Sequence, residues 1–528
     1  MPSKIVSGTL LILCISIYAC FPVKNTVMME RKDLTDSLVI SAPTKIHLID
    51  ASTILTPDGF IVKNGSLTAW GSRISVSGRP MQFYGIKIPL DSVAAISYAE
   101  SELTTGRLVG SILLGIAGGI MAPLSVYCLT CPKCCFGSCP TIYTHADSGY
   151  VLQAELFSHS IFKQLEDSDV DLLETGITDA GRHHFRLTNE ALETHFINQL
   201  SLVAVHHTPE TEILPTTENS FTSVKSPRPP ADAYTRSGRS ILDEINSQDG
   251  FSYRSDTTLV KNLMNGMYYD WIDLQVDVPK GTRNLKMIMR SRNTLMSTVL
   301  FYDVVLASQG IQSLNWMNRM NTDPIYALEF KTIYDAFSGI SVLEKQNDTW
   351  EHRGTFRDAG PMNWRSSVLE IPVEKPGKVS IRLQFVPDNY FIDYIAFDAD
   401  TSQATEFEVE NLPFTDIEDN LGTLRSDVDP LIKNDDRHYF VTEPGDSYYF
   451  HYNTKNTNLP IQTVFLQSKG YYTEWIRGDW LTTKNKNYSF DLFAVDRTLA
   501  ELAQSWLNNK STLEREFFRT RIQLKEKP

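Results

Sequence analysis

Six short runs crowd residues 255–400: WIDLQVDVP, NLKMIMRSR, TVLFYDVVLA, WRSSVLEIPV, KVSIRLQFVP and NYFIDYIAFD. In several of them apolar and polar residues alternate, which sends successive side chains to opposite faces of an extended strand. A strand of this kind cannot cover its apolar face alone. It must pair into a sheet and lay that sheet on another. Six such runs, separated by turns, predict a β-sandwich or jelly roll over 255–400.

The same texture continues on both sides. Residues 42–105 read as four or five short strands with the tight-turn signals Pro57-Asp58-Gly59 and Asn64-Gly65, the pattern of a small, Sm-like barrel. Residues 131–207 read as a second β domain around the cysteine motif. Residues 208–254 are rich in Pro, Thr and Ser and read as a linker or long loop. Residues 401–528 read as β again and end on a helix, with Leu499, Leu502, Ala503, Trp506 and Leu507 on one side. The fold class expected is therefore mainly β. Aromatic content of 11% leans the same way, and 42% apolar residues suffice for packed cores. A net charge of −14, without a Lys/Arg cluster, speaks against a nucleic-acid binder.

The N-terminus, MPSKIVSGTLLILCISIYAC, has one early Lys, an apolar run from Ile5 to Ile17, and Ala19 before Cys20. This is the pattern of a signal peptide over 1–19. Its end resembles a bacterial lipoprotein signal, which implies that Cys20 is lipidated (fatty-acylated, with palmitate as the expected acyl chain) and that 20–41 is a tether. Residues 106–130 form a Gly-rich apolar segment, with no charge between Arg107 and Lys133. Gly106 and Gly110, and Gly115 and Gly119, sit four apart, which lines one helical face with small residues. The expectation is a helix that meets membrane or a copy of itself without crossing.

Five of the seven cysteines lie between Cys128 and Cys139. Cys128, Cys131, Cys134 and Cys139-Pro140 miss a ferredoxin run because the last spacing is one residue too long. Cys128, Cys131, Cys134 and Cys139, with His195, are the alternative metal ligands, although pairs this close leave little loop to fold around zinc. A disulfide between Cys135 and Cys139, turned at Gly137, suits an oxidising envelope better.

Two stretches carry a resemblance. CFGSCPTIY, followed by LQAELFSHSI and LTNEALETHFINQLSLVAVHH, resembles a family of uncharacterised exported bacterial proteins, and FLQSKGYYTEWIRGDWL resembles a C-terminal segment of the same family. The motif residues are Cys135, Phe136, Gly137, Ser138, Cys139 and Pro140; Cys128, Cys131 and Cys134 are additions of this chain. The resemblance implies a multidomain envelope (lipo)protein and no particular activity. FIDYIAFD resembles the last strand of galactose-binding-like modules, but a fold does not settle a function.

Catalytic patterns are scarce. Glu190, Glu193 and His195 lack the H-E-x-x-H arrangement of a metalloprotease. His183-His184 and His206-His207 converge on a metal only if their strands align. No nucleophile elbow, P-loop or dinucleotide fingerprint is present. Trp475 and Trp480 suit core packing better than a binding platform. The sequence therefore predicts no enzyme, no catalytic residue and no cofactor. It predicts a lipid-anchored protein of the bacterial cell envelope, periplasmic or surface-facing, that binds a protein partner or a glycan through its β modules. The alternative is a redox or metal-binding envelope protein centred on Cys128 to Cys139.

Overall fold

The computed structural model describes residues 25–74, 80–81, 85–100, 139–146, 149–173, 182–255, 269–299, 301, 305–399, 407–436, 438–443, 445–453, 461–476, 506–508 and 510–511. It is mainly β, with antiparallel sheets and a few short helices. The chain divides into two compact units, Met1–Leu124 and, apart from Asp436–His438, Ser125–Pro528. The signal peptide, Cys20, the Gly-rich segment 106–130 and Cys128, Cys131, Cys134 and Cys135 lie outside the described residues. Among the described residues no helix is long and apolar enough to cross a membrane.

The first unit has a six-stranded and a four-stranded antiparallel sheet. They enclose Leu34, Ile46, Ile54, Phe60, Val62, Leu67, Ile88 and Ile96. Asn64 and Gly65, at φ 53° and 67°, form the two-residue turn between strands Phe60–Lys63 and Ser66–Ala69. Both central residues of such a hairpin turn need positive φ, which Asn and Gly tolerate best. The expected tether 20–41 is corrected here over its described part. Asn25–Glu30 pairs with Val93–Glu100, Leu34 enters the core, and Val39–Ile40 pairs with Phe60–Lys63. Their apolar residues are broken up by the polar runs Glu30–Asp33 and Thr35–Ser37, so the sequence pattern is faint.

The second unit holds two β assemblies. One is the expected sandwich. Its five-stranded sheet takes in Asp232–Thr235, Asp270–Val278, Gly377–Phe385, Ile340–Gln346 and Thr349–Phe356, and its four-stranded sheet Tyr253–Arg254, Tyr390–Asp398, Asn284–Asn293 and Arg365–Pro372. Along Asp270–Val278 buried residues alternate with more accessible ones. Ile272, Leu274 and Val276, beside Leu383 of the neighbouring strand, thus share one core with Met287, Ile392 and Phe397 of the other sheet. The run TVLFYDVVLA, read as a strand, is not one over its described residues: helix Met296–Val299 occupies its start and helix Ala307–Gln309 its end. Two further helices follow, Ser313–Thr322 and Pro324–Phe337.

The other assembly joins segments far apart in the chain. Strands Gly149–Glu155, Thr141–Ala146, Arg182–Thr188, Ser447–Asn453 and Phe414–Asp419 make one sheet, and Asp167–Leu173, Ile461–Glu474, Glu193–His207 and Glu408–Leu412 the other. Residues 131–207 and 401–528 therefore share both sheets, where two separate domains were expected. The expected linker 208–254 is also structured. Glu212–Pro215 and Phe221–Val224 form a hairpin, and Ile213, Leu214, Val224, Ile241 and Ile245 are buried. Its Pro and Thr content marks turns, but the isolated apolar residues between them find neighbouring cores. At the C-terminus Trp506 is buried, and its indole Nε1 donates to Asp388 Oδ2 at 2.7 Å.

Candidate functional site

Within the second unit a cleft of about 880 Å³ opens beside the sandwich. That volume lies in the range of ligand sites, about 300–1,000 Å³. Six pieces of chain line it, one of them Asn284 at the start of strand Asn284–Asn293. His159, Glu166 and Asp167 come from the turn between strands Gly149–Glu155 and Asp167–Leu173. The tip of the 212–224 hairpin brings Thr216 to Phe221. Helix Pro324–Phe337 supplies Lys331, Tyr334 and Asp335, and the end of strand Thr349–Phe356 leads to Arg357 and Asp358. Strand Arg365–Pro372 adds Leu369 and Glu370.

Asp167 is the best-connected carboxylate. Arg357 Nη1 donates to its Oδ2 at 2.7 Å, and Ser168 N–H to its Oδ1 at 2.7 Å. His159 Nε2 lies 3.4 Å from Oδ2. Burial works against the Asp167 charge, but His159, Arg357 and the Ser168 amide together hold its carboxyl well below the ordinary range. Its neighbour Glu166 goes the other way. Burial pushes it up, against hydrogen bonds from Tyr439 and Asn198, each at 3.1 Å.

Asp358 accepts from Gly339 N–H at 3.0 Å and from the Tyr390 hydroxyl. Burial, then the Asp358 charge, raises the Tyr390 and Tyr334 hydroxyls well above the ordinary phenol range, so both remain donors. Gly339 has φ 82°, and a Cβ there would lie 2.6 Å from Thr355 Cγ2. Glycine is therefore required at the point where the chain leaves the helix and delivers its amide to Asp358.

The residues singled out from sequence lie elsewhere. His195 and Glu193 are wholly buried, with His195 Nε2 2.6 Å from Glu193 Oε1 and Nδ1 3.0 Å from Thr442 Oγ1. Both ring nitrogens are thus engaged within the protein. Cys139 is buried just before strand Thr141–Ala146, in the other sheet from His195. Its expected disulfide partner Cys135, and the alternative metal ligands Cys128, Cys131 and Cys134, lie outside the described residues. Among the described residues no group of three or more His, Cys, Asp or Glu is placed to hold a metal ion. The histidine doublets do not converge, since His183-His184 and His206-His207 belong to different sheets. His183 stacks on Tyr452 at 5.4 Å, and His207 Nε2 lies 2.8 Å from Thr463 Oγ1. Trp475 is buried and donates to Thr194 Oγ1 at 3.0 Å, a core role. Trp480 is outside the described residues. Nothing local in the sequence marks His159, Asp167 or Asp358: each is a single polar residue in a loop or at a strand end, and only the fold collects them.

No protein-family model matches the chain, and no curated protein matches it in sequence. Solved structures with a likeness include the cycloalternan-forming enzyme from Listeria monocytogenes in complex with a pentasaccharide substrate, at 9% identity and a TM-score of 0.18 over 65% of this chain and 31% of that one. An uncharacterized protein from the same organism, in complex with α-D-glucose, β-D-glucose, magnesium and calcium, gives the same identity, coverages and TM-score. An α-xylosidase of glycoside hydrolase family 31 from Xanthomonas citri is 8% identical over 85% of this chain and 38% of that one, with a TM-score of 0.17. The chain thus spans about a third of the length of these structures. Two of the three are enzymes by name, which runs against the expectation that the chain is no enzyme. At these TM-scores the likeness assigns neither fold nor activity to the chain.

Proposed function

We propose that the chain is a lipid-anchored bacterial envelope protein, of the exported kind its cysteine motif resembles, and that it holds a glycan through its β modules. The anchor rests on the apolar run ending at Ala19-Cys20. The binding half rests on one observation, the cleft of about 880 Å³ walled by hydroxyl, carboxylate and guanidinium groups. Such groups suit a ligand that donates and accepts many hydrogen bonds. A protein partner is the second reading. Ile325 and Leu328, 75% and 61% exposed, lie one turn apart on the helix that borders the cleft, and exposed apolar side chains favour a protein contact.

The test has two arms. Labelled palmitate is fed to cells making wild type or Cys20→Ala, and label is expected in wild type alone; equal labelling of both removes the anchor. The purified protein is screened on a glycan array, with released sugars measured in parallel. Retention or cleavage of a glycan supports the binding half, and the absence of both removes it.

A further inference from the structure

We propose that the cleft selects neutral, hydroxyl-rich saccharides over acidic ones. This rests on the glycan reading above. The sign of the charge carries it. Six carboxylates line the cleft against three cations, Lys331, Arg353 and Arg357. Each cation already has a carboxylate partner. Lys331 Nζ lies 2.6 Å from Asp335, Arg353 Nε 2.7 Å from Glu344, and Arg357 Nη1 2.7 Å from Asp167. A uronate or sulfate would have to break one of these pairs while facing the remaining negative charge. A neutral sugar pays neither cost.

Thr216, Thr217, Ser220, Ser338 and Thr355 supply hydroxyls along the walls, each able to donate to and accept from a sugar hydroxyl.

The experiment compares neutral oligosaccharides with uronate- and sulfate-bearing ones by array and calorimetry, on wild type and Glu218→Lys. Glu218 is exposed at the hairpin tip, so its charge reversal leaves packing intact. Thermal melts confirm that the variant is folded. Neutral ligands are expected to bind at least tenfold more tightly than acidic ones, and Glu218→Lys is expected to narrow that gap. Equal or tighter binding of acidic glycans, or a folded Glu218→Lys that leaves the gap unchanged, overturns the proposal while leaving glycan binding in place. A protein that binds no glycan overturns the broader reading, and this proposal with it.

Discussion

His47 shows what one buried titratable group does to the first unit. It sits on strand Thr44–Leu48 at 2% exposure, with Nδ1 3.3 Å from Thr53 Oγ1. Burial, and then the charge of Lys45, lower its pKa from 6.5 to about 3. The native imidazole therefore stays neutral at pH values where the unfolded chain takes up a proton. Between those two pKa values the unfolded state binds more protons, so stability rises with pH there and is lost as pH falls from about 6.5 towards 3. The loss is at most about 1.4 kcal/mol per pH unit. His47→Gln is expected to flatten this slope in melting curves taken from pH 4 to 7; parallel slopes in both proteins would refute the assignment. At this scale the sequence is least informative. KIHLID shows that a histidine sits in a strand, but not which face is covered. In the same way LFSHSI places His159 in the chain without the Asp167 contact or the cleft that make it matter.

Helix Pro324–Phe337 illustrates the next scale. Asp323 is its N-cap, with its side chain accepting from Ile325 N–H and Tyr326 N–H, each at 3.1 Å, and Pro324 opens the first turn. The cap satisfies amides that have no partner inside the helix. Asp323→Ala is expected to cost about 1 kcal/mol, whereas Asp323→Asn, which keeps the acceptor, should cost much less. Denaturant midpoints measure both. The Asp323–Arg319 contact, at 3.6 Å between exposed side chains, contributes little to the difference. The apolar run TVLFYDVVLA, upstream of this helix, reads as a strand, yet its start and end are helical. A short apolar run does not distinguish a strand from a buried helix by periodicity alone. Strands with strict alternation, such as Asp270–Val278, were legible because one face is core and the other is not.

For the whole molecule the decisive contacts are remote. Glu193–His207 pairs along most of its length with Ile461–Glu474, and Arg182–Thr188 with Ser447–Asn453. A chain cut by an engineered protease site within residues 401–406 is therefore expected to keep its two fragments together through native purification, and to release them in denaturant. Fragments that separate under native conditions would contradict the shared sheets. The cleft depends on the same long-range order, since it collects side chains from residue 159 to residue 372. By itself the sequence determined the β class, the sandwich near 255–400 and the tight turns of the first unit. Those follow from alternation and from turn residues, which act within a few positions. Only the tertiary structure decided that 131–207 and 401–528 share sheets, that 208–254 is packed, and that His159, Asp167, Arg357 and Asp358 meet. The physical reason is that strand pairing is made by backbone groups every residue carries, so partner choice leaves almost no local mark, while a site built from single polar residues exists only once those partners have been chosen.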